Sequence, residues 1–307
     1  MLPDRMPPLR FALDIPQARD AALVARFCRR AEELGYVGLW CMENVGGARV
    51  QLTPLQLLPF AAAHTTTIRV GVAVLIVPRH NPVLLARELA SIDQLSGGRV
   101  DAGFGLGVPA PKLASAGFPD DRPLRRLREG IEIVRALWTS KRADYDGQIW
   151  QLDEMPLEPK PLQQPHPPIW LGVGGPKGLR LTARFGDAWI GAGSSSTEQF
   201  LQRAATLREE LAAAGRDVGA FPVAKRVYLS IGPSIDQARD ALKPALDGMY
   251  GAPGLTERVA VYGPPDHCLE QLQRIVDGGA ELLVLNTLHD PEGQLDAVTE
   301  LTARLRS

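Results

Sequence analysis

The segment Arg69–Gly107, RVGVAVLIVPRHNPVLLARELASIDQLSGGRVDAGFGLG, constrains the fold more than any other part of the chain. Val70 to Val77 is an apolar, β-branched run without polar alternation, which is how a strand covered on both faces reads. Pro78 ends it, because proline brings no N–H to a sheet ladder. Asn81 then offers a helix N-cap, with Pro82 at the first helical position. Leu84, Leu85, Leu89, Ile92 and Leu95 recur at helical spacing, and Gly97-Gly98 suit the left-handed close of a helix. A second apolar strand, Val100 to Leu106, follows at once. Strand, helix and strand in so short a span make a βαβ unit, whose right-handed crossover generates a parallel sheet.

The same alternation runs through the chain. Further strands are expected at 11–15, 36–42, 169–173, 188–190, 223–231 and 282–285. Helices are expected at 18–34, 54–63, 122–138, 177–185, 197–214, 235–249, 268–276 and 295–305. With the two strands of the central unit this fits a (β/α)8 barrel, although a doubly wound open sheet uses the same ingredients. Residues 140–167 break the rhythm. ADYDGQIWQL reads as a hairpin turning at Asp146-Gly147, and EPKPLQQPHPP as an extended connector. An insertion is therefore expected there, inside one domain spanning 1–307, and 250–265 reads as a linker.

Composition narrows the class. A chain of 307 residues, 45% hydrophobic and 22% charged with a net charge of −1, has no basic excess for nucleic acid or a membrane surface. No apolar run approaches the roughly 18 residues of a membrane span. MLPDRMPPLR lacks the apolar core of a secretory signal. Cys28, Cys41 and Cys268 lie far apart, as reduced thiols of a cytoplasmic protein do, and not as disulfide or metal pairs.

The strand followed by RHNPVLLARELASIDQLSGGRV and GFGLG resembles the third and fourth strands of the luciferase-like flavin and deazaflavin oxidoreductases. PIWLGVGGPKGLRLTARFGDAW, at 168–189, continues the likeness, which thins after about Gly215. The resemblance implies a luciferase-like TIM barrel and decides against the open sheet. It further implies a homodimer that binds a flavin-type cofactor and performs two-electron chemistry on a small organic substrate. The acid after strand two and the GGPK loop favour coenzyme F420 over FMN. Two alternatives stay open: an FMNH2-dependent monooxygenase using O2 with a separate reductase, and a non-catalytic cofactor-binding relative.

In such a barrel the site forms at the C-terminal strand ends. After strand two, deazaflavin members of the family carry an acid near the ring and then a histidine as proton donor. This chain has Glu43 and then Asn44, and an amide exchanges no proton near neutral pH. In strand three, Ala73, Val74 and Ile76 match the place where the family bulges behind the ring, with a non-prolyl cis peptide expected between Ala73 and Val74. Leu106 and Gly107 match positions where backbone approaches the cofactor. Val108 stands where sugar-phosphate dehydrogenases of the family have a glutamate, and valine cannot titrate. GFGLG is a weak match to a dinucleotide fingerprint, since Pro109 and Pro111 follow it in place of a helix.

GVGGPKG is the sharpest local signal. Gly174 and Gly175 allow close backbone approach, Pro176 presets a helix start whose free N–H groups favour an anion, and Lys177 adds charge. The proton for a reduction is then left to Glu43, His80 or a bound water. His80 suits donation, since imidazole is the side chain that titrates near neutrality, although it also fits a simple turn. Arg87 and Arg99 read as structural, while the sequence does not place Arg69 and Arg79. No metal ligand set is expected.

Overall fold

The computed structural model describes residues 9–45, 50–107, 114–119 and 121–306. Eight parallel strands close a ring: β1 (Arg10–Asp14), β2 (Gly38–Cys41), β3 (Arg69–Val72) continued by the short β4 (Leu75–Ile76), β5 (Val100–Gly105), β8 (Ile169–Leu171), β9 (Ala188–Gly191), β10 (Val223–Ile231) and β12 (Leu282–Asn286). Neighbours pair in chain order, and β12 pairs back onto β1 with Arg10 opposite Leu282. This is the luciferase-like (β/α)8 TIM barrel that the resemblance implied. Closure pairs each of these eight strands on both sides, where a doubly wound sheet would leave two edge strands.

Between the strands lie amphipathic helices whose starts are set by capping. Asp20 accepts hydrogen bonds from Ala22 N and Leu23 N, so the first helix is Ala21–Glu33 and begins three residues later than its apolar pattern suggested. Asn81 caps Pro82–Leu95 as expected, accepting from Val83 N and Leu84 N. Ser196 and Gln199 form a reciprocal capping box on Thr197–Ala213. The apolar faces pack on the outside of the barrel in one large core around Phe11, Leu39, Val70, Leu89 and Ile131.

A second, smaller core fills the barrel interior. Trp40 and Trp170 meet edge to face at 5.5 Å among Ala12, Ala188, Ala224 and Val284. Large indoles fit because their neighbours are small: a Cβ on Gly71 would lie 2.7 Å from the Trp40 ring. Beneath them Arg69 makes a two-pronged ion pair with Asp101, which also accepts from Trp170 Nε1. Arg99 donates to Ala62 O and Ile68 O, so it is structural as read, and Arg69 joins it.

The third strand departs from a single run over Val70–Val77. It breaks into β3 and β4 at a non-prolyl cis peptide between Ala73 and Val74, the place expected. Pro78 lies in a short 3-10 turn over Val77–Arg79.

The insertion joins the helix Pro123–Thr139 to β8, so it lies at the N-terminal end of the barrel, away from the strand tips that form sites. Its hairpin is β6 (Ala143–Asp146) with β7 (Gln151–Met155). The turn is 147–150, longer than an Asp-Gly pair, because the buried Glu129 carboxylate accepts from Gln148 N, Ile149 N and Trp150 N. The expected linker at 250–265 holds a short helix, Leu255–Val259, and β11 (Val261–Gly263), which extends the sheet beside β10. Asp247 organises that corner by accepting from Gly254 N and Thr256 N. All three cysteines are buried and free. Among the described residues no helix is long and apolar enough to cross a membrane.

Candidate active site

Glu43 stands just beyond β2, where the chain leaves the barrel at its C-terminal face. Its carboxylate accepts a 2.6 Å hydrogen bond from Ile76 N, and its own N–H donates to Val74 O at 3.3 Å. His80 Nε2 lies 2.8 and 3.0 Å from the two carboxylate oxygens. The side chains of His80 and Glu43 are only 20% and 11% exposed, so the pair is shielded from bulk water. An imidazole whose nitrogen meets a fixed carboxylate can give up or accept a proton while keeping its orientation.

Both residues line a cavity of about 1000 Å³ at the strand tips, together with Asn44, Arg79 and Asp14. Its polar floor comes from inside the barrel. Arg226, on β10, brings Nη2 to 2.6 Å from Asp14 Oδ2, and both side chains are almost wholly buried. Arg226 Nη1 also donates to Ala73 O at 3.2 Å, and its guanidinium lies 5.5 Å over the Tyr228 ring. Burial pushes the Asp14 carboxyl up to about 6, against the opposing pull of Arg226. The upper walls are apolar, with Ile15, Met42, Phe118, Met249 and Leu288.

A continuous wall runs from β4 across to β8. A Cβ on Gly105 would lie 2.5 Å from Val74 Cγ2, and one on Gly172 would also collide with Val74. Gly107 turns with a φ of 68°, and a Cβ there would lie 2.9 Å from Ile76 Cγ2. Val74 and Ile76 thus pack in one layer with Gly105, Gly107 and Gly172, and Ala73 and Leu106 adjoin it in the chain. Val108, Pro109 and Pro111 lie outside the described residues.

The loop after β8 forms a separate locus, and Gly174, Gly175 and Lys177 do not line the cavity. The helix Pro176–Phe185 has Gly175 as its N-cap and no side chain capping it, so its first N–H groups are left to other partners. A Cβ on Gly175 would meet nothing within 4 Å. One on Gly174 would lie 2.9 Å from the guanidinium of Arg203, a cation the sequence did not place here. Lys177 is exposed beside it. Behind Arg203, the buried Lys225 donates to Ala192 O and Ser195 O and so ties down the loop after β9. Burial, then Arg203 and Arg226, push the Lys225 amine down to about 7.

Of the expected site residues, Glu43, Asn44 and His80 share the cavity, while the rest lie in the wall or in the β8 loop. Sequence reading missed Asp14, Arg226 and Arg203. One signal was available: Lys225-Arg226 are two charges inside VAKRVYLSI, an otherwise apolar strand, and buried charges need partners.

The model of the luciferase-like monooxygenase family matches residues 8–253. A Mycobacterium tuberculosis protein of uncharacterised role is 35% identical over 205 residues, covering 66% of this chain and 70% of its own. The 5,10-methylenetetrahydromethanopterin reductase of Archaeoglobus fulgidus is 30% identical over 217 residues, covering 71% of this chain and 63% of its own. Among solved structures, an F420-dependent secondary alcohol dehydrogenase, in complex with an F420-acetone adduct, aligns with a TM-score of 0.86 at 18% identity over 98% of this chain and 100% of that one. That likeness is one of fold. The family match over most of the length, on a barrel of the same kind, establishes that this chain belongs to the luciferase-like monooxygenase family.

Proposed function

We propose that this protein is an oxidoreductase that binds coenzyme F420 and transfers a hydride to or from a small organic substrate. The observation that carries the reading is the His80–Glu43 pair, shielded at a cavity beside the Val74–Ile76 wall. The residues fit the cofactor at both ends. The wall of Ala73, Val74, Ile76, Leu106 and Gly107, with Gly105 and Gly172 packed against Val74, offers an apolar face for a planar ring. Gly174, Gly175, Lys177 and Arg203 provide the donors and positive charge that suit a phosphate. When bound, the reduced deazaflavin supplies the hydride, and the cofactor therefore carries the difficult chemistry.

The chain's own residues do the remainder. Glu43, held by Ile76 N, orients the His80 imidazole through Nε2, which leaves the other ring nitrogen, Nδ1, to give or receive the proton. Asn44 contributes hydrogen bonding at the rim and no proton. The apolar walls exclude water, and the buried floor fixes the substrate's depth. The relative named as a 5,10-methylenetetrahydromethanopterin reductase and the F420-dependent secondary alcohol dehydrogenase of the same fold support this reading. The whole of 1–307 acts as one unit, assembled as a homodimer in the cytoplasm, and the three free thiols agree with a reducing setting.

Titration of the purified protein with F420 and, separately, with FMN tests the proposal. F420 fluorescence should quench on binding. Tight FMN binding with oxygen consumption on adding FMNH2 would replace the reductase by a monooxygenase, and cofactor affinity with no turnover over a broad panel would leave a non-catalytic relative.

A further inference from the structure

The deepest part of the cavity carries charges of both signs in contact, and that sets what it can accept. The inference rests on the reading of this cavity as the substrate site. The geometry points to Asp14 as a specificity-determining residue that neutralises Arg226 and reserves the cavity floor for an uncharged polar group, a carbonyl or the matching hydroxyl, on an apolar body.

Asp14 and Arg226 side chains are 5% and 4% exposed, yet both line the cavity. A lone buried guanidinium at such a floor would be a trap for carboxylates and phosphates. Asp14 removes that preference, because its oxygen already lies 2.6 Å from Arg226 Nη2. An anionic substrate would have to displace the acid or bring a second negative charge against it in a poorly solvated place, and like charges there repel strongly. A neutral group meets no such obstacle. It can accept from the guanidinium, donate to the carboxylate, or use Asn286, which also lines this floor and is almost fully buried. The apolar walls of Ile15, Met42, Met249 and Leu288 then take the body of the molecule.

Arg226 is also fixed from a third side by Ala73 O, so it cannot swing away to follow a charged ligand. The other ionisable groups of the cavity, Glu43, His80 and Arg79, come from the ends of β2 and β4 and not from the barrel interior. The floor is therefore a separate recognition element from the proton pair.

The test uses matched fluorinated probes and protein without cofactor, read by fluorine NMR. 4-Fluoroacetophenone presents a neutral carbonyl, and 4-fluorobenzoate presents a carboxylate on the same ring. Wild-type protein should broaden the ketone signal, with unlabelled acetophenone displacing it and benzoate failing to do so at about tenfold higher concentration. Displacement is the readout because benzoate held at the β8 loop would not compete. In Asp14→Asn, benzoate should displace the ketone at least about tenfold more effectively than in wild type. Benzoate competing as well as acetophenone in wild type, no ketone binding up to its solubility limit, or no gain in Asp14→Asn would each overturn the proposal.

Asp14→Asn leaves a buried cation unpaired and can fail to fold, which circular dichroism reports. The double variant Asp14→Asn/Arg226→Gln removes both charges. It should weaken ketone binding about tenfold and still exclude benzoate, and unchanged ketone binding would overturn the inference. F420 quenching measured on the same preparations keeps the two readings apart, since the fluorine signals need no cofactor.

Discussion

His80 Nε2 meets Glu43 Oε1 at 2.8 Å across 37 residues of sequence, and the same carboxylate is held at 2.6 Å by Ile76 N. The acid after one strand thus fixes the imidazole after the next, and the backbone of that next strand fixes the acid. Neither side chain is free to choose its direction.

Replacing the imidazole separates its chemical role from its structural one. His80→Ala should lower single-turnover hydride transfer by about 10²–10⁴-fold while F420 affinity stays near wild type. Glu43→Gln should lower it less, because an amide oxygen still accepts from Ile76 N and still meets the imidazole. Rates of both variants within a factor of about two of wild type would assign the proton to water.

The loop after β8 offers a test that does not disturb the barrel. A side chain at Gly175 enters open space, and its φ of −87° suits any residue. Gly175→Val should therefore leave the melting temperature almost unchanged and weaken F420 binding by about tenfold or more. Arg203→Met should do the same. Unaltered quenching curves for both would move the phosphate elsewhere.

Glu32 makes acid stability testable. Partial burial pushes its carboxyl up, but hydrogen bonds from Ile68 N, Thr67 N and Thr66 N outweigh this and bring it down to about 2. A folded-state value below the unfolded one means that the ionised form stabilises the fold. The contribution is complete above the ordinary carboxylate range and is lost as pH falls through it towards about 2. Wild-type protein should melt well above Glu32→Gln at pH 7, and the gap should close between about pH 4.5 and 2. A gap of constant size across that range would refute the linkage.

Asp93 pins the insertion to the barrel. It is fully buried and accepts from Leu162 N at 2.8 Å, Gln163 N at 3.0 Å and Gln163 Nε2 at 2.7 Å. Asp93→Ala takes the charged acceptor away from these part-buried donors, leaving Gln163 Nε2 with Val100 O alone. Limited proteolysis should then cut within 158–166 before the barrel melts. Cleavage at the wild-type rate would show that the prolines alone hold the connector.

Much of the barrel was legible because its elements are specified locally. Val70–Leu106 carries its own strand pattern, cap and turn, and Asn81 caps where its position said it would. The break at Ala73-Val74 was placed by likeness to other chains, since neither residue type demands it. Glu43 and His80 were picked out separately, but nothing in the spacing of 43 and 80 says that they touch. Asp14 and Arg226 were overlooked for the same reason: a pairing across a closed ring depends on which strands point inward at one height. Arg203 sits on an ordinary polar helix face and becomes significant only when Gly174 is found beside it.

The two indoles inside the barrel have a kinetic consequence. Trp40 and Trp170, with the Arg69–Asp101 pair beneath them, stopper the lower half of the ring. What remains above them, among the described residues, is a cavity at the strand tips. A molecule resting on the Asp14–Arg226 pair lies beneath whatever sits nearer the strand tips. Passage by the strand tips is therefore queued: the deeper guest enters first and leaves last.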